Sequence, residues 1–280
     1  MAGFFGLFNY EKVGPGISKD APKKRGFIVF FEFFFRNFWK FITINIVHSI
    51  ISFPIVTSGL ANVGITNVAR NTARDKHSFG LSDYMETIKK NWKQGLIAGI
   101  INTLIGFVLL FDLYFFFNMK SEMMAIIGLG VTFSLTFFFI VMNFYMWTLM
   151  ITFKFTIKQI YSNSFKFVII NLKKNFLCFF VLALCYAFYI ALLLLFKRYF
   201  FIMLLIELVI FICVHPGFRA LLIQFCTFPA IKKYIIDPYY EEHPEEDMDK
   251  RRDLGLVEEE VRTFINEDGE EETENVFEDK

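Results

Sequence analysis

Recognisable chemistry is what this sequence has least of. Its 280 residues contain no Walker-type phosphate loop, no dinucleotide-binding glycine fingerprint, no His-Glu-x-x-His pair and no Gly-x-Ser-x-Gly elbow. An enzyme therefore has no positive support, and no catalytic or cofactor-binding residue is expected. The four cysteines (Cys178, Cys185, Cys213 and Cys226) lie in or beside apolar runs, without the close spacing of a zinc or redox site. Packing explains them, and no metal site is expected. Acidic residues are scarce until the end of the chain. Residues 1–240 hold 10 Asp/Glu against 24 Lys/Arg and carry +14, whereas residues 241–280 hold 18 against 5 and carry −13. A cleavable signal peptide is not evident either. Met1 to Tyr10 is apolar and aromatic, but Glu11, Lys12 and the Gly14-Pro15-Gly16 turn follow it. A crossing needs about 20 residues, so a position on the membrane surface suits this segment.

Apolar surface, by contrast, is abundant. The chain is 55% hydrophobic and 19% aromatic, with 40 Phe, far beyond soluble-domain usage. Such a chain needs a solvent that tolerates exposed apolar faces, and the lipid bilayer is that solvent. Uncharged runs cover 41–69, 94–111, 123–153, 175–196 and, apart from Glu207, 199–217. The expected fold is all-α. A polytopic transmembrane bundle of about six helices at 27–240 lies between an amino-terminal surface segment, 1–26, and an acidic, disordered cytosolic tail, 241–280. In the tail, 258–266 has the pattern of one short helix, with Val261, Phe264 and Ile265 on one side. The run 123–153 would reach ~46 Å as a helix and must tilt or project. The run 41–69 is too short for two full spans. Pro54 divides it, and the second half carries Gly59, Ala61 and Gly64, small residues that let helices approach closely. A hairpin of two short helices follows, either crossing twice or re-entering without emerging.

Basic residues set the expected sidedness. Seven Lys/Arg lie in the segment up to Lys40, six between Arg70 and Lys93, and five between Lys154 and Lys174. The intervening loops hold only Lys120 in one case, and Lys197 with Arg198 in the other. The positive-inside rule then puts the basic segments and both termini in the cytosol of a multi-pass cell-membrane protein, with Arg219, Lys232 and Lys233 following the last span. The same rule accounts for the basic loops, so no nucleic-acid partner is expected. Arg36-Asn37-Phe38, Lys90-Asn91-Trp92 and Lys174-Asn175-Phe176 each stand where an apolar helix leaves the cytosol. Their asparagines are 54 and 84 residues apart, so this is no solenoid. They read as interface anchors or as a unit duplicated about the membrane normal.

Polar groups inside a membrane are costly and often functional. His48 lies midway along the first span, Asp112 near the outer end of the third and Glu207 deep in the last, while Asn102 and Asn143 add uncharged groups. Glu207 is expected to face the bundle and pair with His48 or an asparagine, as a structural contact or as a relay. Asp112 can reach headgroup water. His48, Asn62, Asn143 and Glu207 would line the path of an autonomous small-solute transporter or channel. His215-Pro216-Gly217 should break or kink the last helix before Arg219, either as a simple helix end or with the apolar stretch to Ile236 leaving the bilayer and running along or into the cytosol.

Several stretches in order carry a family resemblance. They are Gly6 to Lys12, Gly14-Pro15-Gly16, Lys19 to Lys24, Phe30-Phe31-Glu32, Phe38-Trp39-Lys40, Ser52 to Thr57, Asp83, Lys89 to Gln94, Asp112-Leu113-Tyr114 and Phe228 to Tyr239. Over roughly 6–240 the chain resembles the YesL family of integral membrane proteins, found mainly in Gram-positive bacteria. Val13 departs from the pattern, where proline is expected, and Glu207 has no counterpart in it. The resemblance implies a six-helix membrane protein that is an accessory or regulatory partner of a carbohydrate ABC uptake system, with importer components as partners. It supplies no catalytic or binding residues.

Overall fold

Pro54 cannot donate the amide hydrogen that a helix interior needs, and the first apolar run breaks there. The computed structural model describes residues 26–243, 261–265 and 271–275. In it α1 (Gly26–Arg36) and α2 (Phe38–Ser52) precede the break, a 3₁₀ turn (Ile55–Thr57) reverses the chain, and α3 (Ser58–Ala73) returns against α2. The expected hairpin is therefore present. Then come α4 (Leu81–Phe117), α5 (Glu122–Thr152), α6 (Ile157–Ile170) and α7 (Leu172–Leu195). After a 3₁₀ turn at Lys197–Tyr199, α8 (Phe200–Cys213) and α9 (His215–Ile231) follow, and a π turn (Lys232–Ile236) leads into α10 (Asp237–Glu242). Every regular element in 26–243 is helical. In the tail the short helix expected over 258–266 is corrected. Val261–Ile265 (β1) pairs antiparallel with Glu271–Asn275 (β2), with Val261 opposite Asn275. The β-branched residues Val261, Thr263 and Ile265 favour extended backbone over helix. The amino-terminal surface segment and the rest of the tail lie outside the described residues.

Three helices, α4, α5 and α7, are long and apolar enough to cross a membrane. The bent pair from Lys197 to Glu242 makes a fourth if it is taken as one span, with 48° between its parts. Large side chains such as Phe111, Leu195 and Phe201 stand exposed on α4, α7 and α8, as lipid-facing surface requires. These features mark a membrane protein. The hairpin helices α2 and α3 are short, as expected: they hold 15 and 16 residues and rise only ~22–24 Å against a hydrocarbon core of about 30 Å.

The small residues of α3 do what their size suggests. A Cβ on Gly59 would sit 2.2 Å from the Gly95 carbonyl oxygen and 2.7 Å from the Gly99 Cα, so the α3 and α4 backbones touch there. Two apolar cores flank this contact. One gathers Phe30, Phe34, Phe41, Ile65 and Tyr84, and the other Tyr145, Phe167, Leu182 and Ile231. The α9 helix joins both, through Ala220 and Leu221 on one side and Phe228 and Ile231 on the other. The expected break is present, at Val214 (φ −120°, ψ −46°), and Pro216 sits in the first turn of the new helix, where a missing amide costs nothing. The apolar stretch after it continues at 48° to α8 and packs within the bundle.

The repeated asparagines mark breaks in helices. Asn37 (φ −104°, ψ 16°) separates α1 from α2, and Asn91 (φ −116°, ψ 16°) kinks α4. Each side-chain amide donates to the carbonyl four residues back, Phe33 and Thr87, at 2.9 and 3.0 Å. The third break falls at Asn171 (φ −109°, ψ 31°), one turn before Asn175 of the sequence motif. Asn175 instead reaches back to cap the end of α6, donating to the Phe167 and Val168 carbonyls at 3.0 and 3.1 Å.

Candidate functional site

Between α3, α4, α5, α7 and α9 lies a cavity of about 700 Å³, within the usual range for a small-molecule site. Its walls are apolar where Ile65, Phe144, Trp147 and Leu182 face it, and polar groups converge from four helices. The Asn102 amide donates to Asn143 Oδ1 at 2.7 Å, and the Tyr161 hydroxyl donates to Asn102 Oδ1 at 2.8 Å. Asn143 is held in turn by the Phe139 carbonyl at 2.9 Å. This chain of bonds fixes which faces of the two asparagines the cavity sees. From α9, Arg219 Nη2 donates to Asn62 Oδ1 at 2.8 Å, and Gln224 Nε2 donates to the Thr148 hydroxyl at 2.8 Å. Among the described residues no Asp or Glu lines the cavity.

A second cavity, of about 690 Å³, lies at the end of the bundle that carries the basic loops. Arg70, Arg74, Lys76, His77 and Lys154 line it beside Tyr239 and Tyr240. The two cavities are joined by hydrogen bonds. Gln224 of the first holds the Thr148 hydroxyl, Thr152 Oγ1 donates to the Thr148 carbonyl at 2.6 Å, and Arg70 of the second donates to Thr152 Oγ1 at 2.7 Å.

Among the residues singled out from sequence, Asn62, Asn102 and Asn143 meet in the first cavity. His48 does not line it. Its Nδ1 lies 3.2 Å from the Ala61 carbonyl, behind α3. Asp112 is partly exposed near the far end of α4, away from either cavity. Glu207 turns inward and is the one buried residue of α8, but it meets neither His48 nor an asparagine. It borders a separate apolar recess with Cys185, Tyr189 and His215, and its Oε1 is buried without a partner. A buried carboxyl with an unsatisfied oxygen costs stability, and a shape-matched apolar residue removes that cost. Glu207→Leu is therefore expected to raise the thermal midpoint of the purified protein, by about 1–3 kcal/mol in stability. A fall of similar size in a detergent melting curve would show that the carboxyl is a needed contact.

Arg219 and Gln224 were not legible as site residues. Arg219 looks like a cation at the end of a span, grouped with Lys232 and Lys233, until α9 is seen to pack against α3. The available signal was the apolar stretch that resumes after it, Ala220 to Ala230.

No curated protein and no solved structure matches the chain. A family model described as a protein of unknown function, DUF624, matches residues 42–113, from α2 through the glycine contact and along α4.

Proposed function

We propose that this chain is a multi-pass cell-membrane protein, with both termini cytosolic, that binds a small polar solute in its central cavity as part of moving that solute. The observation that carries this reading is the half-open cavity of about 700 Å³, with amide, hydroxyl and guanidinium groups converging on it from opposing helices. The hairpin of α2 and α3 enters and leaves on the basic side, which keeps Arg70 to Lys93 on the same face as Lys154 to Lys174.

Ala183 of α7 lines the cavity, and Ala183→Phe would fill it. A panel of monosaccharides, sugar phosphates and small carboxylates, tested by thermal shift on the detergent-purified protein, is expected to contain members that raise the wild-type midpoint. The Ala183→Phe protein should melt normally and lose that response. A wild type that answers to no member would sink the proposal.

A second reading, an accessory subunit of a sugar ABC importer, rests on the likeness to the YesL family. The DUF624 match at 42–113 falls inside the stretch that carries that likeness. Co-purification of importer subunits at near-equal amounts is the observation that would support it, and recovery of this chain alone would remove it.

A further inference from the structure

An arginine inside a membrane bundle is expensive, and proteins normally set a carboxylate beside it. Among the described residues Arg219 has none. No acidic residue among them lines its cavity, and its one hydrogen bond within them goes to the neutral Asn62. Its Nε is buried without a partner among those residues. A guanidinium has five N–H donors in a planar fork suited to carboxylate and phosphate, so most of its bonding capacity is unspent.

We propose that the solute of the central cavity is an organic anion, and that Arg219 binds its carboxylate or phosphate. This rests on the solute-binding reading above. Asn102 and Asn143, fixed by their mutual hydrogen bond, offer neutral polar groups to the remainder of the ligand, and Trp147 an aromatic wall. Asn62 sets the guanidinium in place from the α3 side without neutralising it. An aspartate there would act as an internal counter-ion and compete with the ligand.

The test uses full-length protein, delipidated in neutral detergent, with glucose 6-phosphate, gluconate and glucose as probes by titration calorimetry. The two anions are expected to bind at least about tenfold more tightly than glucose, because only they can use the charge-assisted bonds. Arg219→Gln should weaken anion binding on the order of thirtyfold or more, and Arg219→Lys should keep part of it. Asn62→Asp should abolish anion binding while the protein melts no lower than wild type, which separates lost recognition from lost folding. Equal binding of glucose and the anions, or unchanged anion binding in both Arg219→Gln and Asn62→Asp, overturns this inference and leaves the cavity reading intact. Failure of all three probes on wild type, with no difference between wild type and Ala183→Phe across the wider panel, overturns both. A lipid headgroup could supply the same phosphate chemistry. Loss of anion binding in phosphatidylglycerol nanodiscs but not in phosphatidylcholine nanodiscs assigns the site to lipid. Equal binding in the two assigns it to a soluble anion.

Discussion

Gly59→Leu is expected to abolish recovery of folded protein. At Gly59 the neighbour of any added Cβ is the α4 backbone, 2.2 Å away at the Gly95 oxygen, and no side chain can swing aside to relieve the overlap. The helices would have to separate, and in lipid no hydrophobic effect draws them together again. The cost should exceed about 4 kcal/mol, the range reserved for gross disruption of packing. Gly106 and Gly130 provide the internal comparison, since a Cβ at either meets nothing within 4 Å. Alanine at these two positions should be neutral, or stabilising by up to about 1 kcal/mol through helix propensity. Size-exclusion profiles and melting curves in one detergent would separate the cases. A monodisperse, normally melting Gly59→Leu protein would show that the α3–α4 contact is not a fixed part of the fold.

The second large effect is expected at Asn175. The Tyr145 hydroxyl donates to its Oδ1 at 2.6 Å, its amide caps the Phe167 and Val168 carbonyls, and Asn171 donates to the Tyr145 oxygen at 2.8 Å. Asn175→Leu strands the Tyr145 hydroxyl proton and a helix terminus in a buried site. The expected loss is about 2–3 kcal/mol, summing two or three bonds of the modest worth they have in membrane proteins. Tyr145→Phe removes only one end of the network and should cost about 1 kcal/mol. In the double variant the two costs should add to less than their sum, since both residues spend one shared bond. Simple additivity would mean that the pair does not act as a unit.

The parts of this fold legible in the sequence were those encoded by local chemistry. Pro54 removes a donor, so the hairpin turn is written at one position. The run 123–153 has nothing to interrupt it, and α5 runs from Glu122 to Thr152 unbroken. Gly59 and Gly64 announced a close approach, though not with which helix. Properties set by which helix lies next to which were hidden. The break between α6 and α7 falls at Asn171, while Asn175, with the same basic and aromatic neighbours as Asn37 and Asn91, is drawn to Tyr145 on another helix. Glu207 points inward but finds no partner, because the histidine of the first span is engaged at Ala61. Arg219 was misread for the same reason. A cation after a proline and a glycine suits an interface equally well, and only the packing of α9 on α3 makes it interior. Of the candidate site, sequence reasoning found the asparagines and missed the charge.

The hairpin of short helices also bears on the electrical profile of the membrane. A transmembrane voltage drops across the low-dielectric layer, and charge crossing it gains about 2.3 kcal/mol per 100 mV. If α2 and α3, only ~22–24 Å tall, each cross the bilayer, lipid must thin or headgroups must sink toward the turn at Pro54. The same voltage then falls over a shorter distance, and the local field is steeper there than in the surrounding bilayer. Ser58, at the head of α3, borders the central cavity, so in that arrangement the cavity lies beside the thinned bilayer. An anion bound there, as proposed, would sit in the strongest part of the field.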